Sequence, residues 1–112
     1  MFLHAHDEDG TPVTLINNGA LACEGWSFEG GEYFGTTGLK VVNNLTSAGY
    51  YSPLLRVSNV HMNCKQFAKL DGVARVQFIG CDLQSRVMLN NPHSGLFELT
   101  GVQSFVLISV TP

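Results

Sequence analysis

The chain has 112 residues, the length of one ordinary domain. Its net charge of −3 lacks the basic excess a nucleic-acid partner needs, and no run of 18 apolar residues offers a membrane-spanning helix. Apolar residues make up 45% and charged residues only 13%, enough for a core but little for a free surface, so part of the apolar surface is expected against other chains.

Residues 1–12 read as a leader or capping strand. The opening MFLHAHDEDG has neither the basic region nor the apolar stretch of a secretory signal. Residues 13–25 read as an entry strand, overlapping a strand-like run from Thr11 to Ala22 with a turn at Asn17-Asn18-Gly19. Cys23, Cys64 and Cys81 form neither a disulfide framework nor a zinc spacing and read as small buried apolar residues. Cys64 and Cys81 are expected at or near related positions of a repeat. The best helical stretch, Cys64 to Leu70, is too short to matter, so the chain reads as all-β.

From Trp26 to Pro112 a pattern recurs: apolar, any, Asn or Gly, apolar, polar, apolar. Val57-Ser58-Asn59-Val60-His61-Met62 matches Phe78-Ile79-Gly80-Cys81-Asp82-Leu83, and Phe28 and Leu107 open earlier and later copies. The offsets are 29 from Phe28 to Val57, 21 from Val57 to Phe78 and 29 from Phe78 to Leu107. A second segment, Leu70-Asp71-Gly72-Val73, matches Leu99-Thr100-Gly101-Val102 at the same offset of 29. Repeats of this length mark a solenoid of about three to four coils. Short strands at Phe67–Leu70, Ala74–Phe78 and Cys81–Leu83 are broken at Asp71-Gly72 and Gly80, as one turn of a parallel β-helix requires. Leu70, Val76, Phe78 and Leu83 should line its core. Residues 46–53 and 90–95 read as flanking loops. The apolar run Ser104 to Val110 leaves a strand edge for another subunit, or for further chain, to cover. A β-sandwich is the rival fold, since short strands with turns suit both, but it does not explain the shared offset of 29.

These repeats resemble the right-handed parallel β-helix of the pectate-lyase-like superfamily, and within it the β-helix domains of phage tailspikes and tail fibres. The resemblance is architectural, with no catalytic signature to carry over. It implies a homotrimer in a virion tail, made in the host cytoplasm, that contacts other tail proteins and bacterial surface polysaccharide. It implies either a glycan-binding or structural module or a polysaccharide lyase or glycoside hydrolase.

Glu32, His61 and Asp82 share the polar position of successive copies, so they are expected as one outward column that does acid–base work or holds a cation or glycan. Glycoside cleavage needs two carboxylates roughly 5–10 Å apart. The plainer reading is that outward strand positions are polar because they face water. Asp71 and Glu98 are a second candidate pair. Trp26, Tyr50 and Tyr51 are the candidate sugar-stacking rings, against a plainer role in the core or a subunit interface. His4-Ala5-His6 places two imidazoles on one side of a strand, and three such pairs around a trimer axis would suit iron or zinc, resembling the His-x-His sites of phage spikes. A fragment boundary or an expression remnant would also account for that triplet.

Overall fold

The strand content follows from period-two burial. In the computed structural model, which describes residues 3–7, 10–17, 25–44, 54–85 and 96–111, buried and outward residues alternate along most strands. The elements are β1 (Leu3–Asp7), β2 (Val13–Asn17), β3 (Gly25–Glu29), β4 (Gly31–Asn43), β5 (Leu54–Ser58), β6 (His61–Asp71), β7 (Arg75–Ile79), β8 (Asp82–Ser85), β9 (Phe97–Thr100) and β10 (Ser104–Ile108). No helix occurs among the described residues.

The strands form two sheets, and every strand pairing among the described residues is parallel. A β-sandwich built of hairpins would pair its strands antiparallel. One sheet is ordered β10-β7-β5-β3. The other is forked. Its central strands β4 and β6 are long, and each half meets a different shorter strand: β1 and β2 on β4, β8 and β9 on β6. The alternation slips in both long strands, at Gly38-Leu39 and across the buried run Gln66-Phe67-Ala68. There the Thr37 hydroxyl donates to Gln66 Oε1 at 3.0 Å, which satisfies the buried amide oxygen.

The registers reproduce the sequence offsets. Phe28 lies opposite Val57, Val57 opposite Phe78, and Phe78 opposite Leu107, while Leu70 lies opposite Leu99. After each of these strands of the four-stranded sheet comes a residue with left-handed backbone: Gly30, Asn59, Gly80 and Ser109, at φ of 73°, 57°, 65° and 52°. The corners interlock, with Gly30 N–H donating to Ser58 O, Asn59 N–H to Ile79 O and Gly80 N–H to Ile108 O, all at 2.8–2.9 Å. Glycine and asparagine recur in the pattern because they reach this conformation at least cost.

One core lies between the sheets. Leu70, Val76, Phe78 and Leu83 are buried in it, with Tyr33, Leu39, Leu55 and Met62. The buried Cys64 and Cys81 thiols donate to Tyr33 O (3.5 Å) and Val57 O (3.3 Å). They do not share a register position. Cys64 stands in β6 opposite Gly35 and Ser85, whereas Cys81 follows the Gly80 corner ahead of β8.

The ladder reaches back before Trp26: β1 and β2 pair with β4 (Leu3 with Gly31, Val13 with Leu39). The opening segment is therefore a strand of the ladder, as a capping strand would be. Cys23, Asn18, Gly19 and the two loop stretches at 46–53 and 90–95 lie outside the described residues.

Candidate functional site

Parallel strands stack equivalent positions directly above one another, so a polar outward position repeated in sequence becomes a row of side chains. The registers place His4 beside Glu32, Glu32 beside His61, and His61 beside Asp82. The row alternates imidazole and carboxylate across four adjacent strands. His61 Nδ1 lies 2.9 Å from Asp82 Oδ2, and His4 Nε2 lies 3.7 Å from Glu32 Oε2. The Asp82 carboxylate accepts from His61 Nδ1–H, which leaves Nε2 of that ring as the group available to a ligand. Neither acid is buried. The Glu32 and Asp82 side chains are each 44% exposed, and that of His61 is 28% exposed.

An aromatic ring sits beside this row, at the next outward position of β4. Phe34 follows Glu32 by two residues and so shares its outward face. Its ring centroid is 5.7 Å from that of His4 and 5.9 Å from that of His61, the latter edge-on. Asn63 stands opposite Phe34 on β6, and Gln84 opposite Asn63 on β8. The result is a half-buried ring with imidazole, carboxylate and amide groups along its margin. Sequence reasoning assigned Phe34 no ligand role and grouped His4 with His6. The signal that would have found both is the offset of 28 from His4 to Glu32 and the alternation Glu32-x-Phe34.

The other candidates fall elsewhere. Trp26 is half-buried, packed against the core from the edge strand β3, on the same inward face as Phe28. It lines a shallow hollow of about 260 Å³ with Gly25, Ser27, Leu54 and Arg56. Tyr50 and Tyr51 lie outside the described residues, and so does the side chain of His6. Asp71 and Glu98 are not paired. Asp71 is opposite Thr100, and Glu98 is opposite Lys69, whose Nζ is 3.3 Å from Glu98 Oε2. The register sets these pairs two residues apart along the strand. Among the described residues, no three His, Cys, Asp or Glu side chains gather as they would around a metal ion.

Tyr33, between Glu32 and Phe34, points the other way, into the core. Burial, then the neighbouring Cys81 thiol, pushes its phenol up from 10.0 to about 12. Burial likewise pushes the Cys81 thiol up, against the lowering effect of nearby backbone hydrogen bonds, so it is a poor nucleophile. Since the folded Tyr33 holds its proton longer than the unfolded one, its contribution to stability is intact below pH 10 and declines as pH rises toward about 12. Urea midpoints across that window should fall in the native chain and fall less in Tyr33→Phe. Parallel slopes in the two would refute this assignment.

No protein-family model matches the chain, and neither the curated proteins nor the solved structures include a match.

Proposed function

We propose that this chain is a short right-handed parallel β-helix that serves a phage-like tailspike or tail fibre as a glycan-contacting module, with the sugar held over Phe34. The winding is supported by parallel pairing at offsets of 29, 21 and 29 and by the stacked left-handed corners. The right hand follows from the strong preference of parallel strand connections for it. The trimer and the place in a virion tail accompany the architectural resemblance.

The observation that carries the glycan reading is the flanked ring. A sugar presents an apolar face that stacks on an aromatic ring, and a rim of hydroxyls that hydrogen-bond to carboxylates, amides and imidazoles. Phe34 supplies the first, and Glu32, His61 and Asn63 lie along its margin for the second, with Asp82 one strand further on, hydrogen-bonded to His61. Calorimetric titration with oligosaccharides from bacterial capsule or lipopolysaccharide should show binding. Phe34→Ala should weaken it at least tenfold, on the scale of a lost aromatic contact of about 1.5 kcal/mol. Lys69→Ala, on the other half of β6, should leave it unchanged. Equal affinity in the Phe34 variant would end this reading.

The same row carries a second reading, a polysaccharide-cleaving enzyme. Glu32 and Asp82 stand two strands apart, roughly 10 Å between backbones, near the upper end of the separation used by inverting glycosidases. His61 occupies the gap and is hydrogen-bonded to Asp82, which favours binding over hydrolysis. Release of reducing ends from the bound polysaccharide, abolished by Asp82→Asn, would reverse that preference.

A further inference from the structure

We infer that the β8–β9–β10 end of the molecule binds the β1–β2–β3 end of a second copy, carrying the parallel ladders across the seam. This rests on the winding proposed above. Each ladder passes through four strands: β1-β4-β6-β8, β2-β4-β6-β9 and β3-β5-β7-β10. Among the described residues β8, β9 and β10 have no partner beyond them except the bridge from Asp82 to Thr111. Unpaired strand edges recruit further strands.

The two ends complement one another position by position. Extending the registers by one strand sets Leu107 beside Phe28 of the second copy, Phe105 beside its Trp26, Leu99 beside its Leu15 and Phe97 beside its Val13. These are the inward positions, so apolar meets apolar at each. Leu99 is 41% and Leu107 47% exposed, although their equivalents Leu70 and Phe78 are fully buried. A cavity of about 500 Å³, lined by Phe67, Leu83, Leu96, Phe97, Leu107 and Val110, opens at this end for those side chains. At the head of β8 Thr111 already holds the rung beside Asp82, so the ladders that continue across the seam are those of β9 and β10. The corner at Ser109 meets Gly30, and both already have left-handed backbone. Because the two surfaces differ, the contact is head-to-tail and grows as an open row, unlike a closed dimer.

The test is a cross-link placed across the seam. Ser27 and Val106 are outward residues of one register column, with Arg56 and Gln77 between them. Within one copy they lie three strands apart, roughly 14 Å, beyond disulfide reach. Across the seam they lie on neighbouring strands, about 4.8 Å apart, within it. Mild oxidation of Ser27→Cys/Val106→Cys should give a ladder of covalent multimers on a non-reducing gel. An equal mixture of the two single variants should stop at a heterodimer, and neither single variant alone should give a ladder. Arg56→Cys/Gln77→Cys reports the strand order inside one copy and should close an internal disulfide. If that internal bond forms and the ladder does not, the head-to-tail contact is refuted while the winding stands. If the internal bond also fails, the winding is wrong and the contact falls with it. Sedimentation of the unaltered chain should show concentration-dependent growth. A monomer at every concentration would overturn the proposal without any substitution.

Discussion

Phe78→Ala is expected to lower the stability of the fold by about 3–5 kcal/mol, a large share of the roughly 5–15 kcal/mol available to a domain of this kind. Phe78 is fully buried at the centre of the four-stranded sheet, between β5 and β10. Its ring meets Phe97 edge-on at 5.4 Å and Phe105 at 6.1 Å, and those two rings meet each other at 4.9 Å. Removing it leaves a hole bounded by rings on rigid strands, which cannot collapse to fill it. Leu107 occupies the next position of the same column but is half exposed, so Leu107→Ala should cost less than about 1 kcal/mol by the apolar area it still buries. Urea denaturation at low protein concentration, where self-association is minimal, measures both. A Phe78 variant within about 1 kcal/mol of the native chain would mean that the core does not close where the ladder places it.

That column also shows what was legible in the sequence. The offsets of 29 and 21 were readable because each copy ends on a residue suited to left-handed backbone, and such residues are few enough to align on. Ser109 breaks that chemistry but keeps the conformation, and the apolar pattern around it held the alignment. The outward row Glu32, His61 and Asp82 was readable for the same reason, since position along a strand fixes the face. The first rung was not readable, because β1 has no such corner residue within its strand pattern and the Asn17-Asn18-Gly19 turn signal after β2 is not followed by the apolar, polar, apolar triplet of the later copies. His4 was therefore placed with His6 as a metal pair rather than with Glu32. Trp26 was read as a candidate sugar-stacking ring because large aromatic rings suit that contact. Its parity with Phe28 sets it inward, and parity outweighs residue type on a sheet with one buried face. The pair Asp71 and Glu98 failed by two residues, a distance that preserves the face but changes the neighbour.

The row of polar residues carries little of the fold's stability. Its pairs lie at the surface, where an ion pair contributes at most about 1 kcal/mol. A side chain whose loss barely affects folding can be exchanged to test binding alone. That separates the Phe34 and Asp82 experiments from the core substitutions, which would alter affinity and stability together.

The second corner column makes the sharpest backbone prediction. Gly72 and Gly101 follow β6 and β9 at equivalent positions, with φ of 77° and 69°. Alanine at either forces an L-residue into left-handed backbone, at about 1 kcal/mol or slightly more. At Gly72 a Cβ would also lie 2.5 Å from the backbone oxygen of Asn43, in the neighbouring strand, where nothing flexible can give way. The same corner is tied by side chains: Asn17 Nδ2 donates to Asn43 Oδ1 at 3.1 Å, and Asn43 Nδ2 donates to the Gly72 carbonyl at 3.0 Å. Relieving the clash means separating Asn43 from Gly72, which breaks that tie. Gly72→Ala should therefore cost about 2–3 kcal/mol, the sum of backbone strain and one lost hydrogen bond. At Gly101 the nearest atoms to a Cβ are 3.7 Å away, an ordinary contact, so Gly101→Ala should cost only the conformational part. Thermal or urea midpoints of the two variants measure the difference directly. Equal losses would show that the Asn17–Asn43–Gly72 stack adds nothing to the corner. A larger loss at Gly101 would contradict the packing at these two corners.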